Sequence, residues 1–137
     1  MPGERVKITR VLLADDHEPY RQRLRVCLEQ EPDIEVVAEA GDGRAAVRLV
    51  GELQPDAVVM DVTMPLLNGI EATRLITESF PAVKVLALSM HRDRRFVEGM
   101  LAAGACGYVL KENALVQLPD ALRTVTGGGT YLCPELG

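Results

Sequence analysis

The stretch VVMDVTMPLLNG, residues 58–69, places an aspartate directly after an apolar run and then turns the chain at Pro65 and Gly69. A short apolar run rich in valine is typical of a buried parallel strand, and here it ends on Asp61. The proline and the glycine predict a turn before the next helix, so that Asp61 does not serve as its cap. We therefore expect Asp61 to be accessible at the carboxyl end of a buried strand.

On both sides of this stretch, short β-branched runs alternate with longer amphipathic segments. Five such repeats predict a parallel sheet with helices on both faces. Pro32, Pro55 and Pro81 each come just before a strand and support these boundaries. The predicted strands are 6–14, 34–40, 56–60, 83–89 and 107–110, and the predicted helices lie near 17–30, 43–53, 66–79, 92–103 and 115–126.

Few strand orders satisfy the right-handed crossover rule for such a chain. We predict an α/β, flavodoxin-like, doubly wound fold with five parallel strands in the order 2-1-3-4-5 and five helices. Ligands of these sheets bind beyond the carboxyl ends of the strands, where the winding direction reverses between strands 1 and 3.

Composition restricts the function classes. The chain has 137 residues, of which 47% are hydrophobic and 26% charged, as expected for one globular domain. A net charge of −5 argues against binding of nucleic acid by this domain alone. Residues 99–110, the longest uncharged stretch, are too few to cross a bilayer, and residues 1–10 lack the apolar core of a signal peptide. We expect no membrane association and a cytoplasmic location.

Five polar residues follow neighbouring strands of the predicted sheet. Any one of them could be a turn former, and Asp16 could cap the first helix. Together, the carboxylates would repel each other by roughly 4 kcal/mol per pair at about 4 Å and an effective dielectric near 20. A lysine and a divalent cation would offset that repulsion, and oxygen ligands without imidazole or thiolate favour Mg²⁺. The five residues are Asp15 and Asp16 after strand 1, Asp61 at strand 3, Ser89 at strand 4 and Lys111 after strand 5.

Four fragments in this order resemble the receiver domain of two-component response regulators. They are VLLADDHEPYRQRLRVCLE (11–29), PDAVVMDVTMPLLNGIEATRLI (55–76), VKVLALS (83–89) and AGACGYVLK (103–111). The resemblance implies that a sensor histidine kinase phosphorylates Asp61. It also implies a signalling switch that assists its own phosphotransfer and dephosphorylation and is not an enzyme acting on separate substrates.

The same resemblance assigns roles to the other residues. Asp15, Asp16 and Asp61 would hold Mg²⁺ with the backbone carbonyl of Thr63. Ser89 and Lys111 would contact the phosphoryl oxygens, and Ser89 and Tyr108 would form the switch. A homodimer through helix 4, strand 5 and helix 5 is a possible consequence.

The chain departs from the family pattern near its end. Glu112 follows Lys111 where many receivers have a proline. Pro119 lies inside the predicted fifth helix and removes a backbone donor, so we expect that helix to start late, near Leu118, or to bend.

Residues 1–127 are predicted to form the receiver domain and residues 128–137 the start of a linker, because helical periodicity ends at three glycines. The tail resembles the segment that leads to a LuxR-type helix-turn-helix, which implies a missing DNA-binding output domain that regulates transcription. A stand-alone or phosphorylation-independent receiver acting as a protein-interaction module is the alternative. A haloacid dehalogenase-type phosphohydrolase is disfavoured, because that family has an acid at the position of Thr63.

Overall fold

The computed structural model describes residues 7–133, which form one parallel sheet covered by helices on both faces. The strand order is 2-1-3-4-5-6, so the predicted order is correct. The predicted number of strands is wrong, because a sixth strand pairs with the fifth within the described residues. The strands are β1 (Thr9–Ala14), β2 (Ile34–Ala40), β3 (Ala57–Asp61), β4 (Lys84–Ser89), β5 (Gly107–Leu110) and β6 (Tyr131–Leu132); the helices are α1 (Glu18–Glu29), α2 (Gly43–Leu53), α3 (Gly69–Ser79), α4 (Arg94–Ala103) and α5 (Ala114–Thr126).

The central strands are buried on both faces, which explains their continuous apolar sequences. Every residue of β3 is buried, and so is every residue of β5. Successive side chains of a strand point to opposite faces, so the sheet separates two apolar clusters. One cluster joins Leu12 to α2, α3 and α4, and the other joins Leu13 to α1 and α5. This double burial fixes the strand register and with it the positions of the strand ends.

The three helices that pack with Leu12, namely α2, α3 and α4, each begin at a polar N-cap residue. The side chains of Asp42, Asn68 and Asp93 accept hydrogen bonds from backbone amides in the first turns of α2, α3 and α4, at 2.8, 3.0 and 2.8 Å. Such caps satisfy amide groups that the helix itself leaves unpaired. Because Asn68 caps α3, Asp61 is not used for that purpose, as predicted.

Helix α5 differs from its prediction. It begins at Ala114, directly after a 3-10 turn (Lys111–Asn113), so the expected late start near Leu118 is wrong. Pro119 provides no amide for the carbonyl of Leu115, and the thiol of Cys27 on α1 donates to that carbonyl instead, with 3.2 Å between sulfur and oxygen. Burial of the apolar face of α5 against the sheet outweighs the missing backbone bond.

The segment after α5 returns along the sheet. Gly128 has a φ of 96°, which reverses the chain direction. The amide of Tyr131 then donates to the carbonyl of Cys106 at 3.0 Å, and the amide of Cys133 donates to the carbonyl of Tyr108 at 3.1 Å. Residues 131–133, predicted to belong to a linker, thus lie on the edge of β5. The boundary between receiver and linker stays a prediction.

Within the described part of the chain, no helix combines the length and the apolar composition needed to span a membrane.

Candidate functional site

The ends of β1 and β3 bring three carboxylates together. These strands are paired, with Ala14 beside Met60, so the residues that follow them meet at one edge of the sheet. Asp15, Asp16 and Asp61 each offer a carboxylate oxygen, and these oxygens lie within 4.8 Å of one another. Asp15 and Asp61 are buried, whereas Asp16 is exposed. We call this set the acid cluster.

Local backbone contacts fix the two buried carboxylates. The Oδ1 atom of Asp15 accepts the amide of His17 at 2.8 Å, and Oδ1 of Asp61 accepts the amide of Thr63 at 3.2 Å. Helix α3 begins close to Asp61, because a Cβ atom at Gly69 would lie only 2.0 Å from the carbonyl oxygen of Asp61. Glycine is therefore required where α3 packs against the end of β3.

Lys111 extends from the end of β5 to both buried carboxylates. Its Nζ atom lies 2.9 Å from Oδ2 of Asp15 and 3.2 Å from Oδ2 of Asp61. Burial lowers the pKa of Lys111, but contact with Asp15 and the charge of Asp61 outweigh it and raise the pKa above its ordinary value. The lysine therefore stays charged beside the acid cluster.

The Asp61 carboxyl group has an unusual protonation equilibrium. Burial raises its pKa from 3.8 to about 6, an effect that the charge of Lys111 reduces and the charge of Asp15 reinforces. Loss of water around a carboxylate disfavours its charged form, which explains the direction. A pKa this far above the ordinary value is typical of functional carboxyl groups.

The acid cluster fits a hard divalent cation. Oδ2 of Asp15 is buried and lies 2.9 Å from the Lys111 ammonium, which balances part of the negative charge of the acid cluster. Three carboxylates this close repel each other, and the single charge of Lys111 leaves negative charge that a metal ion would balance. The donors are all oxygens, as Mg²⁺ prefers. The three carboxylates thus form a site that could bind Mg²⁺.

Ser89 and Tyr108 lie next to the acid cluster but do not belong to it. Ser89 ends β4, and its hydroxyl accepts the amide of His91 at 2.9 Å. Tyr108 is fully buried in β5, and its hydroxyl donates to the carbonyl of His91 at 2.7 Å. The imidazole of His91 stacks on Phe96 of α4, with ring centroids 4.1 Å apart. One peptide segment therefore connects both predicted switch residues to α4.

A cavity of about 1040 Å³ opens beside the acid cluster, between α1, the loop after β3 and the end of β5. Tyr20 lines it and was not predicted as a site residue. Its sequence position held a signal: Tyr20 follows Asp16 by four residues, and side chains in a first helical turn point back toward the helix start. The cavity is also lined by Asp16, His17, Arg23, Asp61, Thr63, Met64, Pro65, Met90, Lys111, Glu112 and Leu115.

Glu112, the residue that departs from the family pattern, forms an exposed ion pair. Its carboxylate pairs with Arg92 at 2.6 Å, which connects the end of β5 to the loop after β4. No cis peptide bond occurs within residues 7–133.

Comparison with known proteins shows which family the chain belongs to. The family model of the response regulator receiver domain matches residues 11–123. The chain belongs to the response regulator receiver family. Receiver domains of this family are signalling switches of two-component systems.

Several relatives are named as transcriptional regulatory proteins. The receiver is 43% identical over 126 residues to the transcriptional regulatory protein DegU of Brevibacillus brevis, covering 92% of this chain and 53% of that protein. It is 43% identical over 119 residues to the transcriptional regulatory protein LiaR of Bacillus subtilis (strain 168), covering 87% and 56%. The chain thus spans little more than half the length of these relatives.

A solved structure has the same fold. The two-component response regulator of the LuxR family from Aurantimonas sp. SI85-9A1 superposes with a TM-score of 0.90 at 38% identity, covering 95% of this chain and 93% of that one.

Proposed function

We propose that this receiver accepts a phosphoryl group on Asp61 from a sensor histidine kinase and thereby controls an attached transcription-regulating domain. The observation that carries the proposal is the convergence of Asp15, Asp16, Asp61 and Lys111 beside an open cavity. The relatives support the output, since two of them are named as transcriptional regulators.

The transfer uses Asp61 as the nucleophile. One carboxylate oxygen attacks the phosphorus of a phosphohistidine, an O–P bond forms, and the N–P bond breaks with its electron pair remaining on the imidazole. Lys111, 3.2 Å from Asp61, stabilises the negative charge on the phosphoryl oxygens. Water attacking the same phosphorus later returns the carboxylate and inorganic phosphate. Asp61 must be deprotonated to act.

Asp15, Asp16 and Asp61, with the backbone carbonyl of Thr63, would hold Mg²⁺. When bound, this ion supplies positive charge that offsets the repulsion among the carboxylates and between them and a phosphoryl group. Asp16 is the exposed member of the set and lines the cavity through which a phosphodonor approaches.

Ser89 and Tyr108 carry the switch in this proposal. The Ser89 hydroxyl accepts the His91 amide and keeps its own proton free to donate to a phosphoryl oxygen, so a movement toward that oxygen would pull on the bond to His91. Tyr108 holds the carbonyl of the same His91, so a change at Ser89 reaches Tyr108 and, through the stacked Phe96, helix α4. Phosphorylation shifts the population between these two arrangements.

The output lies beyond this domain. We place a DNA-binding domain after the linker that starts in 128–137, and a homodimer at α4, β5 and α5. Because β6 covers the edge of β5, a dimer at this face would also contact β6. One solved neighbour is described as two RcsB dimers bound to two parallel DNAs, and this description supports the proposed homodimer. The cytoplasmic location stays a prediction.

Acetyl phosphate with Mg²⁺ tests the proposal. Intact-mass spectrometry should find the mass of one added phosphoryl group, which is transferred to the protein as acetate leaves. Asp61→Asn should abolish this gain in mass. Asp42→Asn is the matched control, because asparagine caps a helix as well as aspartate does and the full gain should persist. No gain in the native protein, or an equal gain in Asp61→Asn, would overturn phosphorylation at this residue.

The alternative, a phosphorylation-independent interaction module, predicts no gain with an intact fold. Sustained turnover of free phosphomonoesters would instead indicate a hydrolase.

A further inference from the structure

Tyr20 of α1 makes two contacts with Lys111, a residue 91 positions away in the sequence. Its hydroxyl donates to the backbone carbonyl of Lys111 at 2.8 Å. The Lys111 Nζ atom lies over its ring, 5.2 Å from the centroid, which is within the range of a cation–π interaction. One side chain thus contacts both the backbone and the ammonium of the same lysine.

Hydrogen bonds to its carbonyl hold the backbone at Lys111. Lys111 opens a 3-10 turn, and the following residue is Glu112, without the ring that restricts a proline at this position in many receivers. The Lys111 carbonyl accepts the amide of Ala114 and also the hydroxyl of Tyr20. The second bond ties the turn to α1, whose first residues follow the acid cluster directly.

The side chain of Lys111 is also held by contacts at its ammonium group. A four-carbon stem has many rotamers, and ordering it costs conformational entropy. Two buried carboxylates attract the ammonium, while the aromatic face supports it from α1. The ring therefore restricts Lys111 to the arrangement that faces Asp61.

We propose that Tyr20 is a positioning residue, which holds the Lys111 ammonium beside Asp61 and ready for the oxygens of an incoming phosphoryl group. The inference rests on the function proposed above for Asp61. Burial, reinforced by the charge of Asp15, raises the pKa of Tyr20 to about 12, so its hydroxyl remains a donor at neutral pH.

Two substitutions separate the contacts. Tyr20→Phe removes the hydroxyl bond and keeps the ring, and it should slow phosphorylation by acetyl phosphate about threefold to tenfold. Tyr20→Leu removes both contacts and should slow it about tenfold or more. Tyr131→Phe makes the same chemical change at β6, beside the amino end of β5, and should leave the rate unchanged.

A double-mutant cycle distinguishes positioning from a general structural role. In a Lys111→Met background, Tyr20→Leu should cause no further loss of rate, because the group that it positions is gone. The Mg²⁺ affinity of Tyr20→Leu should stay close to that of the native protein, since the carboxylates are unchanged. Additive losses in the cycle, or a parallel loss of Mg²⁺ affinity, would overturn the inference.

An NMR measurement keeps this inference separate from the proposed function. The Tyr20 ring should shift the ε-methylene protons of Lys111 upfield, and Tyr20→Leu should remove that shift while Tyr20→Phe retains it. Retention of the shift in Tyr20→Leu would overturn the placement of Lys111 by Tyr20. A native protein that takes up no phosphoryl group but loses the shift in Tyr20→Leu would overturn only the function proposed for Asp61.

Discussion

Burial and the charge of Lys111 have opposite effects on the ionisation of Asp61. Burial favours its protonated form, and the nearby Lys111 ammonium reduces this effect without cancelling it. A carboxyl group whose pKa is higher in the folded than in the unfolded protein stabilises the fold at low pH, and that stabilisation is lost as the pH rises through the folded pKa. The ionised Asp61 that the proposed function requires is thus costly to the fold.

Asp61→Asn should therefore stabilise the protein without Mg²⁺. At neutral pH the gain in the free energy of unfolding should be about 1–3 kcal/mol, because the pKa of Asp61 is raised from 3.8 to about 6. The gain should shrink as the pH falls through this interval, since native Asp61 then becomes neutral as well. Urea unfolding in EDTA between about pH 4 and pH 8 measures it. A gain independent of pH would contradict this linkage.

At the residue scale, the sequence was sufficient for part of the site. Asp15, Asp16, Asp61 and Lys111 could be placed together because each directly follows or ends a strand, and parallel strands end at one edge. Tyr20 could not be assigned from strand ends, since its contact depends on the direction of α1 relative to β5. Side-chain contacts between a helix and a distant turn require the packing of the two elements.

At the scale of elements, the loop that carries Thr63 is held against the start of α2. A Cβ atom at Gly43 would lie 1.8 Å from the carbonyl oxygen of Leu67, so the helix and the loop approach more closely than any other residue permits. This contact connects α2 to residues 62–68, the loop that follows Asp61.

Gly43→Ala should separate this helix from the loop. We expect a loss of about 2 kcal/mol or more in the free energy of unfolding, because overpacking against backbone leaves no flexible group to yield. If the backbone carbonyl of Thr63 holds Mg²⁺ as proposed, Mg²⁺ affinity should fall as well, since Thr63 moves with the loop. The control is Gly51→Ala in the same helix, where a Cβ would meet only the ring of Phe80 at 3.3 Å and alanine favours the helix. Urea unfolding and calorimetric titration with Mg²⁺ measure both effects, and equal behaviour of the two variants would refute the close contact.

The course of helix α5 could not be predicted from local sequence rules. The rule that proline disfavours a helix interior is local, and it predicted either a start near Leu118 or a bend. In the structure, burial of Leu118 and Leu122 against the sheet and the donation from Cys27 to the Leu115 carbonyl keep the helix continuous. Tertiary packing outweighed the low helix propensity of proline, and the neighbouring residues in the sequence do not reveal that packing.

At the scale of the whole molecule, β6 changes the outer edge of the sheet. An exposed edge strand presents unpaired amides and carbonyls and favours association with other chains. Residues 131–133 cover β5, the strand that contains Tyr108, and the buried Cys133 packs in the same apolar cluster as Tyr108. The sequence analysis assigned these residues to a linker, because the pattern contained no information on which strand would pair with them.

Shortening the chain measures what β6 contributes. A chain ending at Gly128 should lose about 2–4 kcal/mol in the free energy of unfolding, because it lacks the bonds from the Tyr131 and Cys133 amides and the burial of Cys133. A chain ending at Cys133 is the control, because it keeps these bonds and differs from the shorter chain only by residues 129–133. The shorter chain should also self-associate more, as judged by sedimentation, because the edge of β5 is then open. Equal stability of the two shortened chains would mean that the segment is a linker from Gly128 onward.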